Sequence, residues 1–87
     1  MKLIEVVADE GHTGTVLGIA EQQGAVDCWV GASQEEGRVS VRIVTDSDST
    51  QPVIDALHTV IAASSHARLV IINVEASLPR PEDLRTL

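Results

Sequence analysis

Eighty-seven residues make one domain with one core, which buries roughly 60–65% of the surface its unfolded chain exposes. One Trp, no Phe and no Tyr leave that core to aliphatic side chains, and a single cysteine, Cys28, excludes an internal disulfide and fits a reducing compartment. A net charge of −7, from 13 acidic and 6 basic residues, sets the chain against nucleic-acid backbones and anionic membrane surfaces as electrostatic partners.

Met1-Lys2-Leu3-Ile4-Glu5 meets a charge too early for the apolar region of a signal peptide. Lys2 to Ala8 is rich in Leu, Ile and Val apart from Glu5 and reads as a first strand. Ile4, Val6 and Ala8 share one face; Leu3, Glu5 and Val7 share the other. Apolar residues on both sides imply that both are covered at least in part. Asp9-Glu10-Gly11-His12 is a turn. Thr13 is expected to cap a helix whose inner stripe is Val16, Leu17, Ala20 and Gln23. Gly14 and Gly18 weaken that helix by up to ~1 kcal/mol each relative to Ala, and Gly24 stands where a helix stops.

Val26 to Ala32 is a second strand, with Val26, Cys28, Val30 and Ala32 on one face and Asp27, Trp29 and Gly31 on the other. Ser33 to Gly37 suits a hairpin turn. Arg38 to Val44 alternates strictly through Ile43. Val39, Val41 and Ile43 face the core, and Arg38, Ser40 and Arg42 face water, which predicts a central strand. Thr45 to Thr50 is polar and full of helix caps. Pro52 sits in the first turn of a second helix, where its missing N–H costs nothing, and Val53, Ile54, Leu57, Val60 and Ile61 form its apolar stripe. Ser64-Ser65-His66 ends that helix. Ala67 to Glu75 is a fourth strand, dense in Leu, Val and Ile. Its aliphatic run, Leu69 to Ile72, is far short of the ~20 residues a membrane helix needs, so the chain as given reads as soluble. Residues 77–87, with Pro79 and Pro81, read as a linker or tail after a domain of residues 1–76.

The order βαββαβ predicts a ferredoxin-like α+β sandwich, with two helices on one face of a four-stranded antiparallel sheet of order 4-1-3-2. One sheet face is left without helices. Leu3, Val7, Trp29, Arg42, Leu69 and Ile71 are the candidate interface, through that open face or through the edge of the fourth strand. Self-association is the expected consequence.

The chemistry is sparse. Glu10-Gly11-His12-Thr13-Gly14 precedes a helix N-terminus and is the candidate ligand-binding loop; its plain reading is a strand-to-helix turn, and no Gly-rich nucleotide motif accompanies it. Asp46-Ser47-Asp48-Ser49-Thr50 fails as a calcium loop, since Gln51 and Leu57 stand where Gly and Glu are needed; helix capping accounts for it. His58 and His66 lie eight apart, not at the i, i+4 spacing that serves one metal. No metal site and no cofactor are expected. Ser64, Ser65 and His66 are neighbours in sequence, which does not make a nucleophile–base pair. The arginine of an acylphosphatase phosphate loop and the stacking aromatics of an RNA-recognition domain are both missing.

The opening Met1-Lys2-Leu3-Ile4-Glu5-Val6-Val7, the Glu10-Gly11 turn, the stretch from Thr15-Val16-Leu17 to Gly24-Ala25-Val26-Asp27, and the later Pro52-Val53-Ile54-Asp55-Ala56-Leu57 and Val74-Glu75-Ala76 carry a resemblance. Over about residues 1–80 the chain is similar to the N-terminal domain of the bacterial "uncharacterised hydrophobic" membrane-protein family, domain of unknown function 389. The resemblance implies a cytoplasmic, regulatory domain at the inner face of the cell membrane, joined to membrane segments near Leu78-Pro79-Arg80-Pro81-Glu82. It supplies no catalytic residues, and the chain departs from the family in stopping at Leu87, before any hydrophobic segment. The expected function is a non-enzymatic, ligand-sensing, self-associating module. Two alternatives stand beside it. One is a small enzyme or a metal- or heme-handling protein built on His12, His58 or Asp46; the other is an adaptor that docks through Trp29 and the fourth strand.

Overall fold

A computed structural model of the chain describes residues 1–33 and 35–79. The elements are β1 (Lys2–Asp9), α1 (Thr13–Gln22), β2 (Asp27–Ser33), β3 (Arg38–Thr45), α2 (Thr50–Ala63) and β4 (Arg68–Asn73), with 3-10 turns at Glu10–His12 and Glu35–Gly37. All strand pairs are antiparallel, in the order β2-β3-β1-β4. This is the expected ferredoxin-like sandwich, its order read from the opposite edge. The proposed tail lies, from residue 80 on, outside the described residues.

Alternation decides which side of the sheet the helices cover. Ile4, Val6 and Ala8 of β1 stand opposite Ile43, Val41 and Val39 of β3, so six apolar side chains point the same way. Val16 and Ala20 of α1 and Val53, Leu57 and Val60 of α2 close over them, and all but the partly exposed Val39 join one buried cluster. Burying a side chain of this size contributes about 1.5–3 kcal/mol, so this cluster is the main stabilising element of a domain without aromatic core residues.

Two local expectations are corrected. Thr13 is the first residue of α1 rather than its cap. The 3-10 turn at Glu10–His12 runs directly into the helix, His12 occupies the cap position in a helical conformation, and no side chain caps it. A chain that is already turning helically leaves no extended residue whose side chain could fold back. Ser40, expected to face water, is buried. The register of β2 on β3 shifts between Val30 and Ser33, a bulge. The bulge brings Gly31 so close that a Cβ there would lie 3.3 Å from Ser40 Oγ.

β2 is shifted by one residue and β4 closes at Asn73 rather than Glu75; the stop of α1 and the loop before α2 fall where expected. Gly24, φ 75°, stops α1 in the left-handed conformation that glycine adopts freely. The loop before α2 is organised by Asp46, whose Oδ1 accepts from the Asp48 and Ser49 amides and the Ser49 hydroxyl. Thr50 Oγ1 donates to the Asp46 carbonyl at 2.6 Å. These residues tie β3 to the start of α2, as the capping reading requires.

Candidate functional site

The backbone register fixes which residues share the helix-free face of the sheet. From β2 to β4 its rows are Asp27–Val44–Leu3–Ile72, Trp29–Arg42–Glu5–Val70 and, at the bulge, Gly31–Ser40–Val7–Arg68. Trp29, Val70 and Ile72 are exposed, and Leu3 and Val7 are half-buried. Arg42 Nε donates to Glu5 Oε2 at 2.8 Å in the middle row. The face therefore combines an apolar margin at both edges with one ion pair at its centre. Aromatic and aliphatic side chains left open in this way mark a protein contact surface more often than a catalytic one.

Four of the six interface candidates lie on this face: Leu3, Val7, Trp29 and Arg42. Leu69 and Ile71 do not. Leu69 stands opposite Val6 and Ile71 opposite Ile4, so both point to the helix side, where Leu69 packs against the core and Ile71 stays exposed at the sheet edge. The residues of β4 on the open face are Arg68, Val70 and Ile72. Local pattern offers no means of choosing between the two sets, because β4 is apolar at successive positions and shows no alternation. Val44 was missed for a related reason. It follows Ile43 as a second apolar residue and lies on the open face between Asp27 and Leu3, yet it is buried.

The candidate loop Glu10-Gly11-His12-Thr13-Gly14 is a tight turn, with Glu10, Gly11 and Gly14 exposed and His12 and Thr13 half-buried. Glu10 sits in its first turn, and a carboxylate there opposes any anion drawn to the helix N-terminus. His12 lines a shallow apolar depression with Thr15, Thr59, Val60 and Ala63. His12 and Asp46 are at opposite ends of the sheet: His12 follows the end of β1 that pairs with Arg38, and Asp46 follows Thr45, which pairs with Lys2. Among the described residues no three His, Cys, Asp or Glu side chains converge on a point that could hold a metal ion.

Of the described lysines and arginines, Arg38, Arg42 and Arg68 share the open sheet face and Lys2 lies on the helix side. Lys2 donates to Asn73 Oδ1. Arg38 reaches the carbonyls of Glu35 and His66, and Arg42 is paired with Glu5. Cys28 packs against the core from β2, and burial raises its thiol pKa above the ordinary 9.0, with the Asp27 and Glu21 carboxylates adding to the shift. It is a poor nucleophile at neutral pH.

No protein-family model matches the chain, and no curated protein matches it. Solved structures do. One is a PII-like signalling protein of Thermus thermophilus, 17% identical, with a TM-score of 0.69 and 84% of each chain covered. Another is CPII of Thiomonas intermedia, a nitrogen regulatory PII-like protein, in its apo form. It is 11% identical, with a TM-score of 0.68 over 84% of this chain and 89% of that one. The same protein bound to ADP, AMP and bicarbonate is 12% identical, with a TM-score of 0.67 over 86% and 90%. At these identities the likeness shows a shared ferredoxin-like fold.

Proposed function

We propose that this chain is a regulatory, ligand-sensing module that associates with itself and is not an enzyme. The observation that carries the reading is the match of nearly the whole chain to PII-like signalling proteins. The open sheet face supports the self-association, because Trp29, Val70 and Ile72 present apolar area at its two margins. Adenine nucleotides and bicarbonate are the first ligands to test, since CPII was solved with ADP, AMP and bicarbonate.

The test is a thermal-shift series with ADP, AMP, ATP, bicarbonate and amino acids, run beside light scattering. A saturable rise in Tm on an oligomeric protein is expected. No shift with any ligand, on a clean monomer, would sink the proposal.

A second element rests on the sequence resemblance alone: this module serves as the regulatory head of a membrane protein. No helix among the described residues is long and apolar enough to cross a membrane, so the spanning part would lie elsewhere. Blotting membrane and soluble fractions of the native cells decides it. A species much larger than 9.2 kDa in the membrane fraction is expected; a soluble species of 9.2 kDa removes this element.

A further inference from the structure

The two edges of the sheet are built differently. At the β2 edge the ladder is broken by the bulge between Val30 and Ser33, a device that blunts strand pairing. The β4 edge has no such device. Arg68-Leu-Val-Ile-Ile-Asn73 contains no Pro, no Gly and no bulge against β1, and Val70, Ile71 and Ile72 are all exposed.

The direction of the free backbone groups follows from one bond. The Val74 amide donates to the Met1 carbonyl at 3.1 Å, and these two residues are directly opposite in the register that pairs Lys2 with Asn73. Hydrogen-bonded and non-bonded pairs alternate along an antiparallel ladder. Arg68, Val70 and Ile72 therefore bond to β1, and Leu69, Ile71 and Asn73 turn their N–H and C=O groups outward.

We propose that the β4 edge is the contact between two copies of this chain, joined antiparallel about a two-fold axis through Ile71; the inference rests on the self-association reading above. An axis normal to the sheet keeps the helices of both copies on one side, and then only residues on the same face can stand opposite each other. With the axis at Ile71 that condition is met along the whole strand. Ile71 pairs with the partner's Ile71 and Leu69 with the partner's Asn73 as bonded pairs, giving about six backbone hydrogen bonds. Val70 pairs with the partner's Ile72 on the open face, in the closer, non-bonded position, so each of the three exposed apolar residues finds an apolar partner.

Charge agrees with this placement. In a chain of net charge −7, β4 carries no acid, and Arg68 is its one charged side chain. Arg68 falls opposite the partner's Val74, so the pairing sets no two like charges face to face. The product is an eight-stranded sheet in which the rows of the open face run on from one copy into the next. A partner protein adding its own strand is the other occupant of such an edge, and it is distinguished below.

The experiment uses the full chain with Cys28→Ser as background. The axis places the two Ile71 Cα atoms about 5.5 Å apart, within disulfide range. Ile71→Cys should therefore cross-link to a dimer on mild oxidation. Leu69→Cys should not, since its symmetry mate lies about 13 Å away along the strand. In light scattering, the unmodified chain should have twice the 9.2 kDa mass, Ile71→Lys should return it to the monomer mass, and Trp29→Ala should leave it dimeric. A monomeric unmodified chain overturns this proposal together with the self-association reading, and leaves the edge to a different partner. An oligomer that ignores Ile71→Lys and does not cross-link through Ile71→Cys overturns the edge contact alone.

Discussion

Arg42 of β3 and Glu5 of β1 are direct cross-strand neighbours and form an ion pair of 2.8 Å at the centre of the open sheet face. Their side chains are 48% and 28% exposed, so solvent screens the attraction. A double-mutant cycle with Arg42→Ala and Glu5→Ala should give a coupling of about 0.2–1 kcal/mol. It should shrink towards zero in about 1 M salt, where the screening length is about 3 Å. A coupling well above that range, insensitive to salt, would mean that this face is covered in solution.

Ser40 is buried beneath the β2 bulge, and its hydroxyl has no hydrogen-bond partner among the described residues. An unsatisfied buried polar group costs about 1–3 kcal/mol. Ser40→Ala removes that group at almost constant volume. The variant should be as stable as the parent, or more stable by up to about 1 kcal/mol, with an unchanged urea m-value. A loss of stability would reveal a hydrogen bond to this hydroxyl.

Glu36 has φ 63° and Gly37 φ 71° in the turn between β2 and β3. The left-handed conformation costs a non-glycine residue about 1–2 kcal/mol, of which the entropy of a glycine returns about 0.5–1 kcal/mol. Glu36→Gly should therefore be neutral to mildly stabilising, by up to about 1 kcal/mol. Gly37→Ala should destabilise by roughly 1–2 kcal/mol. Chemical denaturation of the pair reads both signs together.

Cys28 gives a pH-dependent signal. Burial, followed by the Asp27 and Glu21 carboxylates, raises its pKa above 9.0. Alkylation by iodoacetamide should reach half its maximal rate only above pH 9.0, and below that midpoint it should run more slowly than for a free thiol. A thiol whose folded pKa is raised adds stability that is fully present below the unfolded value and is lost as pH rises through the folded one. Stability should thus decline on the alkaline side of pH 9.0, and less so in Cys28→Ala. Asp27→Asn should move the alkylation midpoint down without abolishing the upward shift, because burial is the larger cause.

Leu57 is fully buried between α2 and the sheet. Leu57→Ala should cost about 2–5 kcal/mol. Native stabilities run from about 5 to 15 kcal/mol, and a small domain lies near the lower end. The variant should melt far lower, or be largely unfolded at ambient temperature by circular dichroism.

The sequence by itself determined the elements, their order and the buried side of the central strands. In β3 the alternation of apolar and polar residues holds through Ile43, and a slip by one residue would turn Val41 and Ile43 out to water; β1, apolar on both faces apart from Glu5, has its register fixed by its pairing with β3. Gly24 and Asp46 were legible for the same local reason: a left-handed stop and a polar loop before a helix each demand particular side chains. Only the tertiary structure decided which residues of β4 share the open face, that Ser40 is buried, and that His12 and Asp46 are far apart. None of these is a local property. Leu69 to Ile72 is apolar at every position, so the β1 register alone assigns its faces. Ser40 is covered because a bulge on a neighbouring strand presses Gly31 against it. The distance from His12 to Asp46 is the length of a sheet that the chain must cross to bring its distant segments together.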